Sequence, residues 1–143
     1  MSKISISKKV YDAIMEHLMA SFPYCGGGFL LADEDEAICH FIPSLNTVDG
    51  SPSTYFQYDV DAFMEAQRTA ATHQCRIVGF YSAKINDALH KVNISSPQLQ
   101  ENYCYLIFEF ASSEECTLYA YYLKGQAFEG VDIEVVEPIY LGV

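Results

Sequence analysis

Apolar residues recur at three- and four-residue spacing in two segments of the chain, a pattern typical of amphipathic helices. The first segment follows Ser7, a residue type that often caps a helix N-terminus, and the pattern predicts a helix that reaches about Ser21. The second segment follows Asp59 and Asp61, either of which can cap a helix, and the pattern extends to about Gln74. The polar residues between these apolar positions predict one solvent-facing side for each helix.

Runs of β-branched and aromatic residues predict strands in much of the remaining chain. The most apolar run, Arg76–Tyr81, is typical of a central strand that is buried on both faces. We expect residues 43–53 and 82–95 to form loops, and Ser96-Pro97 to begin a short helix. The other predicted strands are Phe29–Ala32 and Ala37–Ile42, joined as a hairpin, and Tyr103–Phe110, Cys116–Leu123 and about Ala127–Val136.

The mixed order of predicted helices and strands favours an α+β fold, specifically an α/β-type sandwich of a sheet and helices. The chain has 143 residues, 50% of them hydrophobic and only 19% charged, which is the composition of a folded protein. A chain of this length is enough for one ordinary domain with one core. We therefore expect residues 1–143 to form a single domain.

The charge of the chain argues against several classes of partner. Lysine and arginine total 8 against 19 acidic residues, so the formal net charge is −11, which repels phosphate backbones and anionic lipid surfaces. The sequence has no apolar run near the roughly 20 residues that cross a bilayer, and the first residues lack the apolar core of a signal peptide. We expect a cytoplasmic protein that binds neither nucleic acid nor membranes.

Several local strings match one known family in order and spacing. They are Phe22-Pro23-x-x-x-x-Gly28-Phe29-Leu30-Leu31, Pro43-x-x-Asn46, Tyr55-Phe56-x-x-Asp59, Ile77-Val78-Gly79-Phe80-Tyr81 and Tyr103-x-Tyr105-Leu106-Ile107. Over nearly its whole length the chain resembles the JAMM (MPN-domain) family, zinc isopeptidases and deubiquitinase-like metalloproteases that include small bacterial members. The resemblance implies a mixed β-sheet flanked by helices, as in MPN and cytidine-deaminase-like folds.

The catalytic motif of that family is degenerate in this chain. Active members use a glutamate as general acid/base, two histidines and an aspartate as zinc ligands, and a serine that helps to stabilise the oxyanion; zinc activates a water at its open position. Aligning the family string G-F-Y-H-S-H-P with residues 79–85 puts Ser82 and Lys84 at the two histidines. Counting on by the motif's spacing puts Val92 at the serine and Ser95 at the aspartate. Holding Gly28-Phe29-Leu30-Leu31 in register with the family puts Cys25 at the glutamate.

These replacements imply a catalytically inactive member without a metal cofactor. A protonated Lys84 would repel zinc, serine is a weak neutral ligand, and valine has no donor atom. We expect Lys84 to form a partly buried ion pair with Asp87 or another nearby carboxylate, which would take the place of the metal's charge. The resemblance further implies a protein-binding or scaffold module whose partner is a ubiquitin-like or sulfur-carrier protein, a second copy of the chain or a related MPN domain.

An enzyme with relocated chemistry is the alternative hypothesis. Cys25 stands beside three glycines and could act as the nucleophile of a thiol hydrolase, although the sequence identifies no paired histidine to activate it. Asp87 and His90 could hold a metal outside the family's site. The five cysteines are widely spaced and include no C-x-x-C pair, so we expect buried free thiols rather than a disulfide framework or a zinc ribbon.

Tyrosines are frequent in the last third of the chain. Alternation in the segment Cys116–Leu123 predicts that one of its faces points outward, with Tyr119 and Tyr121 as candidates for exposure. Tyrosine combines a large ring with a polar tip, which suits protein interfaces. Tyr119 and Tyr121 are therefore our candidates for a partner-binding or self-association surface, although ordinary edge-strand packing is the default expectation for such residues.

Overall fold

The computed structural model describes residues 3–22, 26–34, 36–46, 55–56, 58–85, 91–92, 103–112, 114–124 and 127–136. Helix α1 spans Lys8–Ser21 and helix α2 spans Val60–His73. The strands are β1 Lys3–Ser7, β2 Gly27–Ala32, β3 Ala37–Ser44, β4 Tyr55–Phe56, β5 Arg76–Ile85, β6 Lys91–Val92, β7 Cys104–Phe110, β8 Cys116–Lys124 and β9 Ala127–Val136. Neither of these helices is long and apolar enough to cross a bilayer.

Seven of these strands close into a mixed β-barrel with the order β1-β3-β2-β5-β7-β8-β9. Closure depends on β1, which pairs in parallel with β3 on one side and with β9 on the other. The expectation of an α+β fold in the form of an α/β-type sandwich is therefore wrong. The sheet closes because β1 forms hydrogen bonds with β3 and with β9, the two strands that would otherwise be its unpaired edges.

Both helices begin where the sequence predicts. Asp59 caps α2, because its carboxylate accepts a hydrogen bond from the Asp61 N–H at 3.3 Å. Ser7 holds the extended N-cap position of α1 without a side-chain capping bond. Helix α1 packs against β1, β3 and β9, whereas α2 packs against β2, β3 and β5.

The middle of β5, residues 79–83, is buried on both faces, which confirms the prediction for part of the segment, whereas Arg76 is exposed. Phe80 contacts Tyr58 near the start of α2, while the next residue, Tyr81, contacts His17 of α1 edge to face. Gly79 allows β5 and β7 to approach closely, since a Cβ at this position would overlap the backbone oxygen of Cys104. The core extends from β5 across both helices.

Strand β5 is longer than the sequence predicts, because it continues through residues 82–85, which we expected to form a loop. The polar residues of this segment are accommodated in a strand by partners on the neighbouring strand β7. The short helix expected at Ser96-Pro97 and most of the expected loop 43–53 lie outside the described residues, although β3 extends to Ser44.

Candidate functional site

The C-terminal half of β5 carries the two positions that align with the family's zinc-binding histidines. Ser82 and Lys84 are two residues apart in a strand, so they share one side of it. Ser82 is fully buried, and the Lys84 side chain is about one-third exposed, at 32%. The structure thus brings these two predicted positions together at the end of β5.

Ser82 belongs to a buried cluster of hydroxyl groups. Its Oγ lies 2.6 Å from the hydroxyl oxygen of Tyr105 on β7, and the Tyr58 hydroxyl donates a hydrogen bond of 2.8 Å to the carbonyl oxygen of Tyr81. Burial raises the pKa of the Tyr58 hydroxyl well above its ordinary value. The cluster is therefore neutral at physiological pH, which is poorly suited to holding a divalent cation.

Lys84 forms an ion pair with Glu109 of β7. The Nζ of Lys84 lies 3.1 Å from Oε2 of Glu109, and both side chains are about one-third exposed. The two residues are direct partners in the parallel register of β5 and β7, so the backbone itself holds them side by side. The sequence expectation of a partly buried ion pair is confirmed for Lys84, with Glu109 as the carboxylate; Asp87 lies outside the described residues.

Two buried polar atoms near this end of β5 have no hydrogen-bond partner among the described residues. They are Nε2 of His17 and the hydroxyl of Tyr81, whose rings are 6.2 Å apart. Burial lowers the pKa of His17, while a hydrogen bond with the backbone of Gly27 acts in the opposite direction. His17 is therefore neutral at physiological pH.

Of the other three positions that align with the family's catalytic motif, the structure describes only the backbone of Val92. Cys25, at the glutamate position, and Ser95, at the aspartate position, lie outside the described residues, as does His90. The backbone of Val92 lies in β6, where it pairs in parallel with Phe56. The relocated sites suggested for Cys25 and for Asp87 with His90 thus remain predictions.

The two tyrosines predicted to be exposed lie on β8 beside an open groove. Tyr119 is 42% exposed and Tyr121 is half-buried, and the groove between β8 and β9 has a volume of about 590 Å³. Tyr121 pairs with Gly130 of β9, and space is open around the position that a Gly130 Cβ would occupy. This part of the barrel wall presents aromatic surface to solvent.

A cluster of soft metal-ligand side chains lies at the other end of β5. The ligand atoms of Cys39, His40 and Cys75 all lie within 4.8 Å of one another, and the two Sγ atoms are 3.9 Å apart. Burial and the neighbouring Cys75 thiol raise the pKa of Cys39 to about 11. The expectation of buried thiols is correct for Cys104 and wrong for the partly exposed Cys39, Cys75 and Cys116, while Cys25 lies outside the described residues.

Sequence reasoning did not find this cluster. Cys39 and His40 are neighbours in β3, whereas Cys75 follows α2, and the segments meet because α2 packs on β3 and because β3 and β5 share the neighbour β2. The only signal in the sequence is the pair of short strings Cys39-His40 and His73-x-Cys75. Each string is common by itself, so neither predicts a site without the fold.

Several solved structures have a similar fold. A protein from Desulfitobacterium hafniense has a TM-score of 0.78 and 18% identity, covering 95% of this chain and 94% of its own. A JAB1/MPN domain protein from Archaeoglobus fulgidus has a TM-score of 0.58 and 15% identity, covering 95% of this chain and 100% of its own. A protein from Salinibacter ruber has a TM-score of 0.57 and 16% identity, covering 94% and 92%.

These likenesses concern the fold, since all three identities are below 20%. No protein-family model matches the sequence, and no curated protein matches it either. The chain has an MPN-like fold.

Proposed function

We propose that this chain is a catalytically inactive MPN-like domain that acts as a protein-binding module. The observation that carries the proposal is the ion pair between Lys84 and Glu109, at 3.1 Å. If the family alignment is applied to β5, this pair occupies the region of the second zinc-binding histidine. A divalent cation there would meet the charge of Lys84, and Glu109 is already neutralised by that lysine.

The buried neighbours of Lys84 support the same proposal. Ser82 stands at the first histidine position, fully buried, with its Oγ 2.6 Å from the Tyr105 hydroxyl. A hydroxyl that is engaged in this way lacks the basicity of an imidazole and would lose a buried hydrogen bond on turning towards a metal. On this proposal, the fold is retained without catalysis because it presents a surface that binds another protein.

For that surface we favour the groove beside Tyr119 and Tyr121 on β8. Tyrosine rings contribute much of the binding energy at protein interfaces, and the groove offers room for a partner's side chains. Members of the family that the sequence resembles recognise ubiquitin-like folds, so we propose a partner of ubiquitin-like fold. The net charge of −11 favours a partner that presents a basic face.

Catalysis is tested with a ubiquitin-like isopeptide substrate in the presence of zinc. We expect no cleavage by the wild-type protein. Zinc-dependent cleavage would contradict the proposal, and retention of that cleavage by a Cys39→Ser, Cys75→Ser double variant would locate the responsible metal outside the cysteine cluster. Cleavage without metal that is lost in Cys25→Ser would instead favour the thiol hydrolase.

Binding is tested by calorimetric titration with two purified probes, ubiquitin and a ubiquitin-like sulfur-carrier protein. We expect one of the probes to bind, and we expect Tyr119→Ala to weaken that binding by about tenfold or more. Met64→Ala is the matched control, because Met64 is an equally exposed apolar residue on α2, at 47%, and should change the affinity less than twofold. Absence of binding by both probes would contradict the partner class, and a dimer weakened by Tyr119→Ala in sedimentation would assign the groove to a second copy.

A further inference from the structure

We propose that Cys39, His40 and Cys75, with His73 as the fourth ligand, bind a zinc-class divalent cation at the N-terminal end of β5. This site is separate from the family's catalytic position, since it lies about 30 Å along β5 from Lys84. It involves none of the positions that align with the family's motif.

The geometry of the two thiols fits a tetrahedral ion. Zinc–sulfur bonds of about 2.3 Å at a tetrahedral angle place two sulfur ligands about 3.8 Å apart. The Sγ atoms of Cys39 and Cys75 are 3.9 Å apart, and the ligand atom of His40 lies within 4.8 Å of both. Small side-chain rotations therefore suffice to bring three ligands to bonding distance. Two sulfurs and imidazole nitrogen form a donor set that favours zinc over magnesium or calcium.

A β-bulge explains how two consecutive residues reach the same site. Neighbouring residues of a regular strand point to opposite faces. In the pairing of β2 with β3, Leu31 lies opposite His40 and Ala32 lies opposite Ile38, so Cys39 is left as the extra residue. Such a bulge interrupts the alternation and turns both side chains towards one side, and bulges are frequent beside functional sites.

The end of α2 fixes the third ligand. Gln74 adopts a left-handed conformation at φ 55°, and the Cys75 N–H donates to the carbonyl oxygen of Ala70 at 2.8 Å. These contacts hold Cys75 directly after the helix, where the carbonyl end of the helix dipole favours a cation. The net charge of −11 acts in the same direction.

His73 lies beside the cluster and supplies the fourth ligand in this proposal. Its ring centre lies 4.9 Å from that of His40, and its Nδ1 lies 3.1 Å from the carbonyl oxygen of Thr69. A carbonyl oxygen only accepts hydrogen bonds, so this contact places the proton on Nδ1 and leaves the lone pair on Nε2. Zinc-binding histidines are commonly held by this type of hydrogen bond. His73 is exposed, and its ligand atoms lie outside the group of three that are within 4.8 Å of one another, so it reaches the ion by a rotation of its side chain.

A divalent cation bound to these four ligands would form a complex with no net charge. Binding of a divalent cation replaces the protons of two thiols, which pass to solvent, and the ion with two thiolates and two neutral imidazoles carries no net charge. The same two thiols would otherwise be candidates for a disulfide. A disulfide leaves His40 and His73 without a role, so the metal site accounts for more of the cluster.

The test uses the full chain, reduced and stripped of metal by a chelator, and titrated with Co²⁺ and then with Zn²⁺. We expect one equivalent of Co²⁺ to give the visible absorption of a tetrahedral thiolate site, and Zn²⁺ to displace it. We also expect Zn²⁺ to raise the melting temperature. Cys39→Ser and Cys75→Ser should each weaken binding by about a hundredfold, and His73→Ala by about tenfold.

Two matched controls separate this site from metal binding at another thiol or at the family's catalytic position. Cys116→Ser removes a partly exposed thiol on β8 and should leave the titration unchanged. Lys84→Met alters the family's catalytic position and should also leave it unchanged. Circular dichroism checks that each variant is folded, and serine closely matches the size of cysteine.

Three results would overturn the proposal. One is a folded wild-type protein with neither a tetrahedral Co²⁺ spectrum nor a zinc-dependent shift in melting temperature. Another is unchanged binding in the Cys39→Ser, Cys75→Ser double variant. The third is an intramolecular bond between Cys39 and Cys75, formed under mild oxidation in a protein that binds no metal, which would make the pair a redox site. Unchanged affinity in His73→Ala would remove that residue from the ligand set.

Discussion

The Nζ of Lys84 lies 3.1 Å from Oε2 of Glu109, across the parallel register of β5 and β7. Both side chains are about one-third exposed, so solvent screens their attraction and we expect a coupling energy of about 1 kcal/mol. A double-mutant cycle with Lys84→Met and Glu109→Gln, followed by urea unfolding, measures this value.

The pair between Lys3 and Glu134 is the control for this cycle. Its atoms are 3.2 Å apart, but its side chains are about half exposed, and we expect a coupling energy below about 0.5 kcal/mol. Equal coupling energies for the two pairs would contradict a special electrostatic role for Lys84. High salt should weaken the exposed pair more than the partly buried one.

The hydrogen bond between Ser82 and Tyr105 should contribute measurably to stability. Tyr105→Phe removes a hydroxyl 2.6 Å from a fully buried Oγ, and we expect the free energy of unfolding to fall by about 1–2 kcal/mol. Tyr119→Phe, which removes an exposed hydroxyl, should change it by less than about 0.5 kcal/mol. Thermal and chemical unfolding of both variants provide the comparison, and similar small losses would show that the buried hydroxyl is dispensable.

Gly79 should be intolerant of any side chain. A Cβ at this position would overlap the backbone of Cys104, and backbone cannot move aside as a side chain does, so Gly79→Ala should cost at least about 2 kcal/mol. Gly130→Ala is the matched change, because open space surrounds that position in β9, and it should stabilise the protein by about 0.5 kcal/mol. Comparable effects of both substitutions on the urea midpoint would contradict the close approach of β5 and β7.

His17 should make stability depend on pH near neutrality. Burial lowers its pKa in the folded state below the ordinary 6.5, so the unfolded state binds the proton more readily. Stability is therefore unaffected by His17 above about pH 7.5, and it falls as the pH drops through 6.5.

Urea unfolding between pH 7.5 and 5.5, with a chelator present, measures the contribution of His17. We expect His17→Gln to flatten the decline. A decline of the same size in His17→Gln and in the wild-type protein would rule out His17 as its source.

Local patterns predicted the elements but not the closure of the barrel. The helices, the hairpin and the strands after residue 103 follow from spacing and residue type, which act over a few residues. Strand β1 was missed although Ile4 and Ile6 alternate with polar residues, because a run of five residues gives a weak signal. Its pairing of Lys3 with Asp132 joins opposite ends of the chain, and no local pattern carries such information.

For the candidate sites, too, the sequence predicts single residues but not the partners that the fold brings to them. Lys84 was expected to find a carboxylate, and the fold supplies Glu109 from a strand that the sequence did not place beside it. The sequence predicts a loop at residues 82–85 because the segment has no clear hydrophobic period, whereas in the fold these residues extend β5. The pairing of Cys39 with Cys75 depends on a bulge in β3 and on the end of α2, and both are tertiary features.

The parallel pairing of β1 with β9 also constrains the order of folding. During synthesis β1 leaves the ribosome long before β9. The edge of β1 that pairs with β9 therefore stays unpaired until β9 has been made. Contacts of this kind slow folding, and an unfinished chain exposes two strand edges that could pair with other chains. Truncation at either end should therefore favour aggregation over a smaller stable domain.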